Sequence, residues 1–209
     1  MTAHIWLIRH GETQWSRDLR HTGHTDLPLT ARGEQQAIYA GEELRAAPPP
    51  EESSALDSPE VHPGLVLCSP LLRARRTAEL AGLVPDAYDD DLMEWDYGAW
   101  EGITTAEIRT IRAEPTWLIW DERIPAGDTP GEQLADVARR TTRVISRCLP
   151  VLDDGKDCVL VAHGHVLRIL TATWLGLTPD AARFFALDPA RLSSLGFEHE
   201  QRVIRSWNA

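Results

Sequence analysis

The chain is short of cysteine, of positive charge and of long apolar runs, and each shortage closes off a class of protein. Its three cysteines, Cys68, Cys148 and Cys158, are an odd count with no C-x-x-C spacing, which fits neither a disulfide framework nor a zinc site. They read as reduced, buried small hydrophobes. Lysine and arginine number 21 against 32 aspartates and glutamates, a formal charge of −11. Such a surface repels nucleic-acid phosphates and anionic lipid headgroups unless basic side chains are locally concentrated, so neither nucleic acid nor membrane is expected as a partner. No run is long enough to span a bilayer. MTAHIWLIRHGE lacks a charged segment followed by a long apolar stretch and a small-residue cleavage site, and a soluble, cytoplasmic protein is expected. No repeat of solenoid length occurs.

What is present suits one core. With 43% hydrophobic residues over 209, a single domain spanning 1–209 is expected. Short branched apolar runs at 5–8, 65–68 and 159–162 predict strands buried on both faces. Between them lie segments of helical spacing at 31–46 (after the cap residue Thr30), 70–81 and 130–149. For the last, Thr129 reads as N-cap, Pro130 as the first helical residue and Glu132 as the partner closing a capping box. This alternation predicts an α/β fold, a three-layer α-β-α sandwich around a mostly parallel sheet. Residues 47–60 read as a surface loop, and the Trp-rich stretch 92–128 as a helical or loop insertion over the active site. LGFEHEQRVIRSW reads as a two-stranded hairpin at the sheet's edge.

Two of the predicted strands end on a His-Gly pair, His10-Gly11 and His163-Gly164. Ligands of open parallel sheets bind outside the carboxyl ends of the strands, so the two histidines share a crevice if their strands are neighbours. Glycine there permits a tight turn or the close approach of a ligand. A third strand end, CSPLLRARRTAEL, delivers Arg73 on the first turn of a helix whose amides favour an anion, while Arg75 and Arg76 read as solvated. Arg9, His10, Arg73 and His163 make a cationic pocket on an acidic protein. Phosphate is the natural occupant, since guanidinium groups bind its oxygens bidentately.

Arg9-His10-Gly11-Glu12-Thr13, Ser69-Pro70-x-x-Arg73-Ala74-x-x-Thr77-Ala78, Leu92-x-Glu94-x-x-x-Gly98-x-Trp100-Glu101-Gly102 and Ala162-His163-Gly164 together resemble the histidine phosphatase superfamily, also called phosphoglycerate mutase-like. The match runs in order from the first strand to about residue 175. The resemblance implies that His10 attacks phosphorus to form a phosphohistidine that water hydrolyses, splitting one difficult displacement into two. A hydrogen bond from the far ring nitrogen to the backbone around Gly11 would set the reactive tautomer. Arg9, Arg73 and His163 would surround the transferring phosphoryl oxygens, His163 most effectively when protonated. No metal or other cofactor is required by this design. Glu94 takes the place of proton donor to the leaving oxygen and must hold a proton, which partial burial among Trp95, Tyr97 and Trp100 would favour.

Ser16, Thr22 and Gly23 fall on the substrate loop of the resemblance, with Gly164 and His165 at the entrance. Arg168, about one helical turn on, could hold a second anionic group at the mouth. The H-x-H spacing of His163 and His165 invites a metal reading, disfavoured because no nearby cysteine or acid completes a ligand set. His21 and His24 read as members of a polar loop. Glu94-Trp95-Asp96-Tyr97-Gly98 looks like the branch of acid phosphatases and sugar-bisphosphate phosphatases, in which Tyr97 can help hold a sugar. The implied partner is a small phosphorylated metabolite, with a homodimer left open. Phosphoglycerate mutase is the main alternative, a non-catalytic phosphate-binding module the lesser one. Mutases add basic residues after the acid motif, whereas this chain offers Thr104-Thr105-Ala106 and residues 122–127 with few positive charges, so hydrolysis is expected over transfer.

Overall fold

The computed structural model describes residues 3–47, 63–121 and 123–209. The loop read over 47–60 lies outside them beyond Ala47, as does Glu122. A six-stranded sheet carries the fold, with strands β1 (Ile5–Arg9), β2 (Leu65–Cys68), β3 (Ala87–Tyr88), β4 (Cys158–Ala162), β5 (Leu192–Glu198) and β6 (Gln201–Ser206) in the order β3-β2-β4-β1-β5-β6. The pairings from β3 through β1 are parallel, and β5 and β6 join antiparallel. The C-terminal hairpin therefore forms one edge, with β6 outermost and β5 pairing inward with β1.

The helices are α1 (Gln14–Arg17), α2 (Ala31–Ala46), α3 (Leu72–Leu80), α4 (Thr105–Arg112), α5 (Leu134–Asp153) and α6 (Gly164–Trp174). Trp6 and Ile8 of β1 pack with Val159 and Val161 against Ala40, Leu44, Ala74 and Ala78 of α2 and α3. Ile5 and Leu7 pack with Leu160 and Ala162 on the other face, against α5 and α6 through Val144, Ile145, Val166 and Leu167. Side chains alternate across a strand, yet both faces are covered, which is why these strands read as unbroken apolar runs. Each such Leu or Ile contributes roughly 1.5–3 kcal/mol of burial.

Helix α5 corrects the sequence reading. It begins at Leu134, and its N-cap is Gln133, paired with Asp136 in a capping box. Thr129 instead gives its hydroxyl to Asp96, Gly131 turns the chain at φ +73°, and the Glu132 carboxylate is held bidentately by Arg140 at 2.9 Å. Tertiary partners outcompete the local cap. Val137, Val144, Ile145, Cys148 and Leu152 then line one buried face at the spacing of an amphipathic helix. Helix α3 likewise starts at Leu72, two residues later than Pro70. The Trp-rich segment holds α4 and short 3₁₀ turns at Gly98–Trp100 and Ile119–Asp121. All three cysteines are free and buried, and burial pushes the Cys68 thiol up to about 12. Among the described residues no helix is long and apolar enough to cross a membrane.

Candidate active site

In the β1–β4 register Arg9 lies opposite Ala162, so the residues that follow, His10 and His163, leave the sheet side by side. Their rings lie 5.1 Å apart. The turn after β1 is clamped from outside. Gly11 donates its N–H to Thr77 Oγ1 at 3.1 Å, and a Cβ on Gly11 would sit 2.2 Å from the Gly33 carbonyl oxygen. Only glycine lets α2 press this close to the His10 turn.

His10 is buried, with Nδ1 2.7 Å from its neighbour's carbonyl oxygen at Gly11. A carbonyl only accepts, so Nδ1 carries the proton and Nε2 keeps its lone pair. Burial, then Arg73 and Arg9, hold the ring's pKa well below the usual histidine range, which keeps the lone pair available. His163 is held otherwise. Arg73 Nε donates to its Nδ1 at 3.1 Å, and its Nε2 lies 2.7 Å from Ser69 Oγ. Arginine cannot accept, so His163 is neutral with its proton on Nε2. Burial and Arg73 push its pKa well below the usual value.

A cavity of about 580 Å³ opens beside His10, lined by Arg9, Glu94, Tyr97, Gly164, His165, Arg168, Ser16 and Thr22 among others. Arg9 Nη1 donates to the Leu187 carbonyl at 2.5 Å, while Nε is buried and has no partner among the described residues. Arg73 and His163 are fully buried and do not line this cavity. Besides His163, the Arg73 guanidinium holds the carbonyls of Thr25 (2.9 Å), Thr22 (3.2 Å) and Gly23 (2.7 Å), tying the 22–25 loop to the sheet. Gly23 is likewise off the wall, its N–H donating to the Glu101 carboxylate at 2.9 Å. Ser16 faces the cavity while its hydroxyl closes a capping box with Thr13.

Glu94 is buried, as its neighbours suggested. Three backbone N–H groups surround its carboxylate: Trp95 and Val166 at 2.9 Å and His165 at 3.0 Å. Glu94 thereby caps the N-terminus of α6, where the helix dipole favours negative charge. Arg140, held by Glu132 and donating to the Asp91 and Met93 carbonyls, pins the loop that carries Glu94. Tyr97 faces the cavity, but its hydroxyl is engaged by His165. Arg168 is anchored at 3.1 Å to the carbonyls of Ala182 and Arg183, its guanidinium 4.7 Å over Trp120.

Several residues on the wall escaped the sequence reading. His21, taken there as loop, lines the cavity 3.2 Å from Thr105 Oγ1, and burial lowers its pKa to about 4. Arg20 and Arg109 line it too, so with Arg9 and Arg168 the cavity is not poor in positive charge, and Arg109 comes from α4, in the segment after the acid motif. Glu101 lay inside a recognised motif, yet nothing in its spacing revealed that it holds the 22–25 loop. Among the described residues no three His, Cys, Asp or Glu side chains gather as a metal site.

The pattern of the histidine phosphatase superfamily (branch 1) matches residues 5–209. The chain is 39% identical over 200 residues to an acid phosphatase of Mycobacterium tuberculosis, covering 96% of this chain and 89% of that protein. It is 32% identical over 194 residues to the sedoheptulose 1,7-bisphosphatase of Saccharomyces cerevisiae, covering 85% and 69%. Among solved structures, an open-reading-frame product of M. tuberculosis superposes with a TM-score of 0.85 at 36% identity, over 100% of this chain and 98% of that one. A mycobacterial glucosyl-3-phosphoglycerate phosphatase, solved with VO3, superposes at 0.77 with 28% identity over 99% of each chain. The chain belongs to branch 1 of the histidine phosphatase superfamily.

Proposed function

We propose that this phosphoric monoester hydrolase cleaves small phosphate monoesters, sugar phosphates above all, without a metal ion and through a phosphohistidine on His10. One observation carries the reading: a neutral imidazole with Nδ1 tied to Gly11 presents an unprotonated Nε2 beside Arg9, whose Nε has no protein partner. His10 Nε2 attacks phosphorus, and Arg9 donates to the phosphoryl oxygens as charge shifts toward the leaving oxygen. Arg73 and His163 act from behind by fixing the loop, and the Arg73 guanidinium adds fixed positive potential. Glu94 delivers a proton to the leaving oxygen. Water then attacks the phosphohistidine, with Glu94 accepting its proton, and inorganic phosphate leaves.

The test is acid-quenched single turnover with a labelled ester. Acid-labile phosphate on the wild type, absent from His10→Ala, together with undiminished p-nitrophenyl phosphate hydrolysis in chelator, supports the mechanism. Loss of activity with chelator rejects the metal-free route. The arginines of the wall, Arg20, Arg109 and Arg168, favour one competing reading, a mutase that retains a bisphosphorylated intermediate, and relatives in Salmonella are named probable phosphoglycerate mutases. Phosphoglycerate interconversion that depends on a bisphosphoglycerate primer is its signature.

A further inference from the structure

Tyr97 and His165 form a pair that the phosphoryl chemistry leaves unused. The phenol oxygen lies 2.5 Å from His165 Nδ1, and Tyr97 is only 1% exposed. Among the described residues the buried Tyr97 hydroxyl meets no other acceptor, so its O–H donates and Nδ1 accepts; burial beside Glu94 and Glu101 pushes the phenol's pKa up. Burial, with Arg168, His21 and Arg9 facing the ring, holds His165 neutral, its pKa well below the usual range. The acid beside it is Glu94, which accepts its backbone N–H. The single proton of the ring therefore sits on Nε2.

The ring's orientation is constrained as well. Trp120 and Trp95 meet it edge-on at 4.7 and 6.0 Å, and His21 stacks at 6.2 Å. Among the described residues its Nε2 has no hydrogen-bond partner, and His165 lies on the cavity wall with Glu94.

We infer that His165 is a specificity-determining donor whose Nε2–H meets a hydroxyl oxygen of the leaving group, and that Tyr97 is a positioning residue acting through it by setting the ring tautomer. This rests on the phosphatase reading, since it places the leaving group beside Glu94. It narrows the substrate class to phosphate esters of hydroxylated alcohols over plain alkyl esters. A neutral N–H suits a hydroxyl oxygen and offers no charge to a second phosphate at that position. Tyr97 thus helps hold the sugar through His165.

The experiment compares glycerol 3-phosphate with propyl phosphate, which share a three-carbon leaving group and differ in its hydroxyls. One hydrogen bond should favour glycerol 3-phosphate in kcat/KM by about tenfold. Tyr97→Phe lowers that preference severalfold, mainly through KM. His165→Ala abolishes it, and His165→Gln, whose amide N–H can replace Nε2–H, restores most of it. In the His165→Ala background, adding Tyr97→Phe changes the preference by less than about twofold, the mark of a residue acting through another. Imidazole ¹⁵N spectra of the free enzyme give an activity-independent readout: His165 shows the Nε2–H tautomer in the wild type and a mixture in Tyr97→Phe. An Nδ1–H tautomer in the wild type, or equal losses on both esters in Tyr97→Phe and His165→Ala, overturns the inference. Wild-type failure on p-nitrophenyl phosphate, with no label on His10, defeats the phosphatase reading itself. Hydrolysis of that ester with an unmoved glycerol-to-propyl preference defeats only the inference.

Discussion

His10 and His163 occupy the same sequence context, a histidine and a glycine after an apolar strand, and the β1–β4 register sets them side by side. Their surroundings make them opposites. His10 uses one nitrogen and leaves the other bare beside the cavity, whereas His163 has both engaged, by Arg73 and Ser69. Both are buried and both are neutral, so neither burial nor charge separates nucleophile from support. The separation comes from which groups answer each nitrogen. A strand end sets where a side chain emerges, and the neighbouring layers set what it can do there.

The largest effect that would sharpen this contrast is loss of the nucleophile. His10→Ala should lower kcat on p-nitrophenyl phosphate by on the order of 10⁴-fold or more, measured by phosphate release, and a loss under tenfold would erase the distinction between the two rings. Arg9→Gln, which removes the donor whose Nε is unanswered, should cost about 10²–10³-fold, as deletions of transition-state donors do. His163→Gln should cost about 10²-fold through misplacement of Arg73 and the 22–25 loop, with phosphohistidine still formed in quenched turnover. Its absence there would make His163 the equal of His10.

Smaller still is Ser69→Ala, which leaves His163 Nε2–H without its acceptor. A loss of about 1–3 kcal/mol in denaturant unfolding is expected, with less than about tenfold in kcat. Stability against pH should treat the two histidines alike. Their folded pKa values lie below the unfolded value of about 6.5, so the unfolded chain binds more protons below that pH. The native state is unaffected above it and loses stability as pH falls from about 6.5 toward the lowered values, by up to about 1.4 kcal/mol per pH unit for each ring. His10→Gln and His163→Gln should each reduce the proton uptake on unfolding at pH 5 by about one. The same depression keeps His10 neutral in mild acid, and the acidic limb of kcat/KM should fall below the range of a free imidazole.

The strands, the order of the motifs and the pairing of two strand-end histidines were legible because unbroken apolar runs and His-Gly punctuation are local signals. Arg73 was legible as a member of the cationic pocket but not as a brace, since that depends on where the 22–25 carbonyls lie. Thr129 looked like a cap until Asp96 claimed its hydroxyl. His21, Arg20 and Arg109 carry no motif, and they reach the wall from a loop and from α4, whose placement follows from the packing of Trp100 on Trp117 and Trp95 on Trp120.

The sequence by itself determined an α/β sheet with cationic residues at the carboxyl ends of its strands, because side-chain periodicity and strand termination are properties of neighbouring residues. The tautomers of His10, His163 and His165, the seat of Glu94 on α6 and the layer to which each arginine belongs were decided only by the tertiary structure. A hydrogen bond acts over about 3 Å, and its partners here are separated by up to 178 residues along the chain.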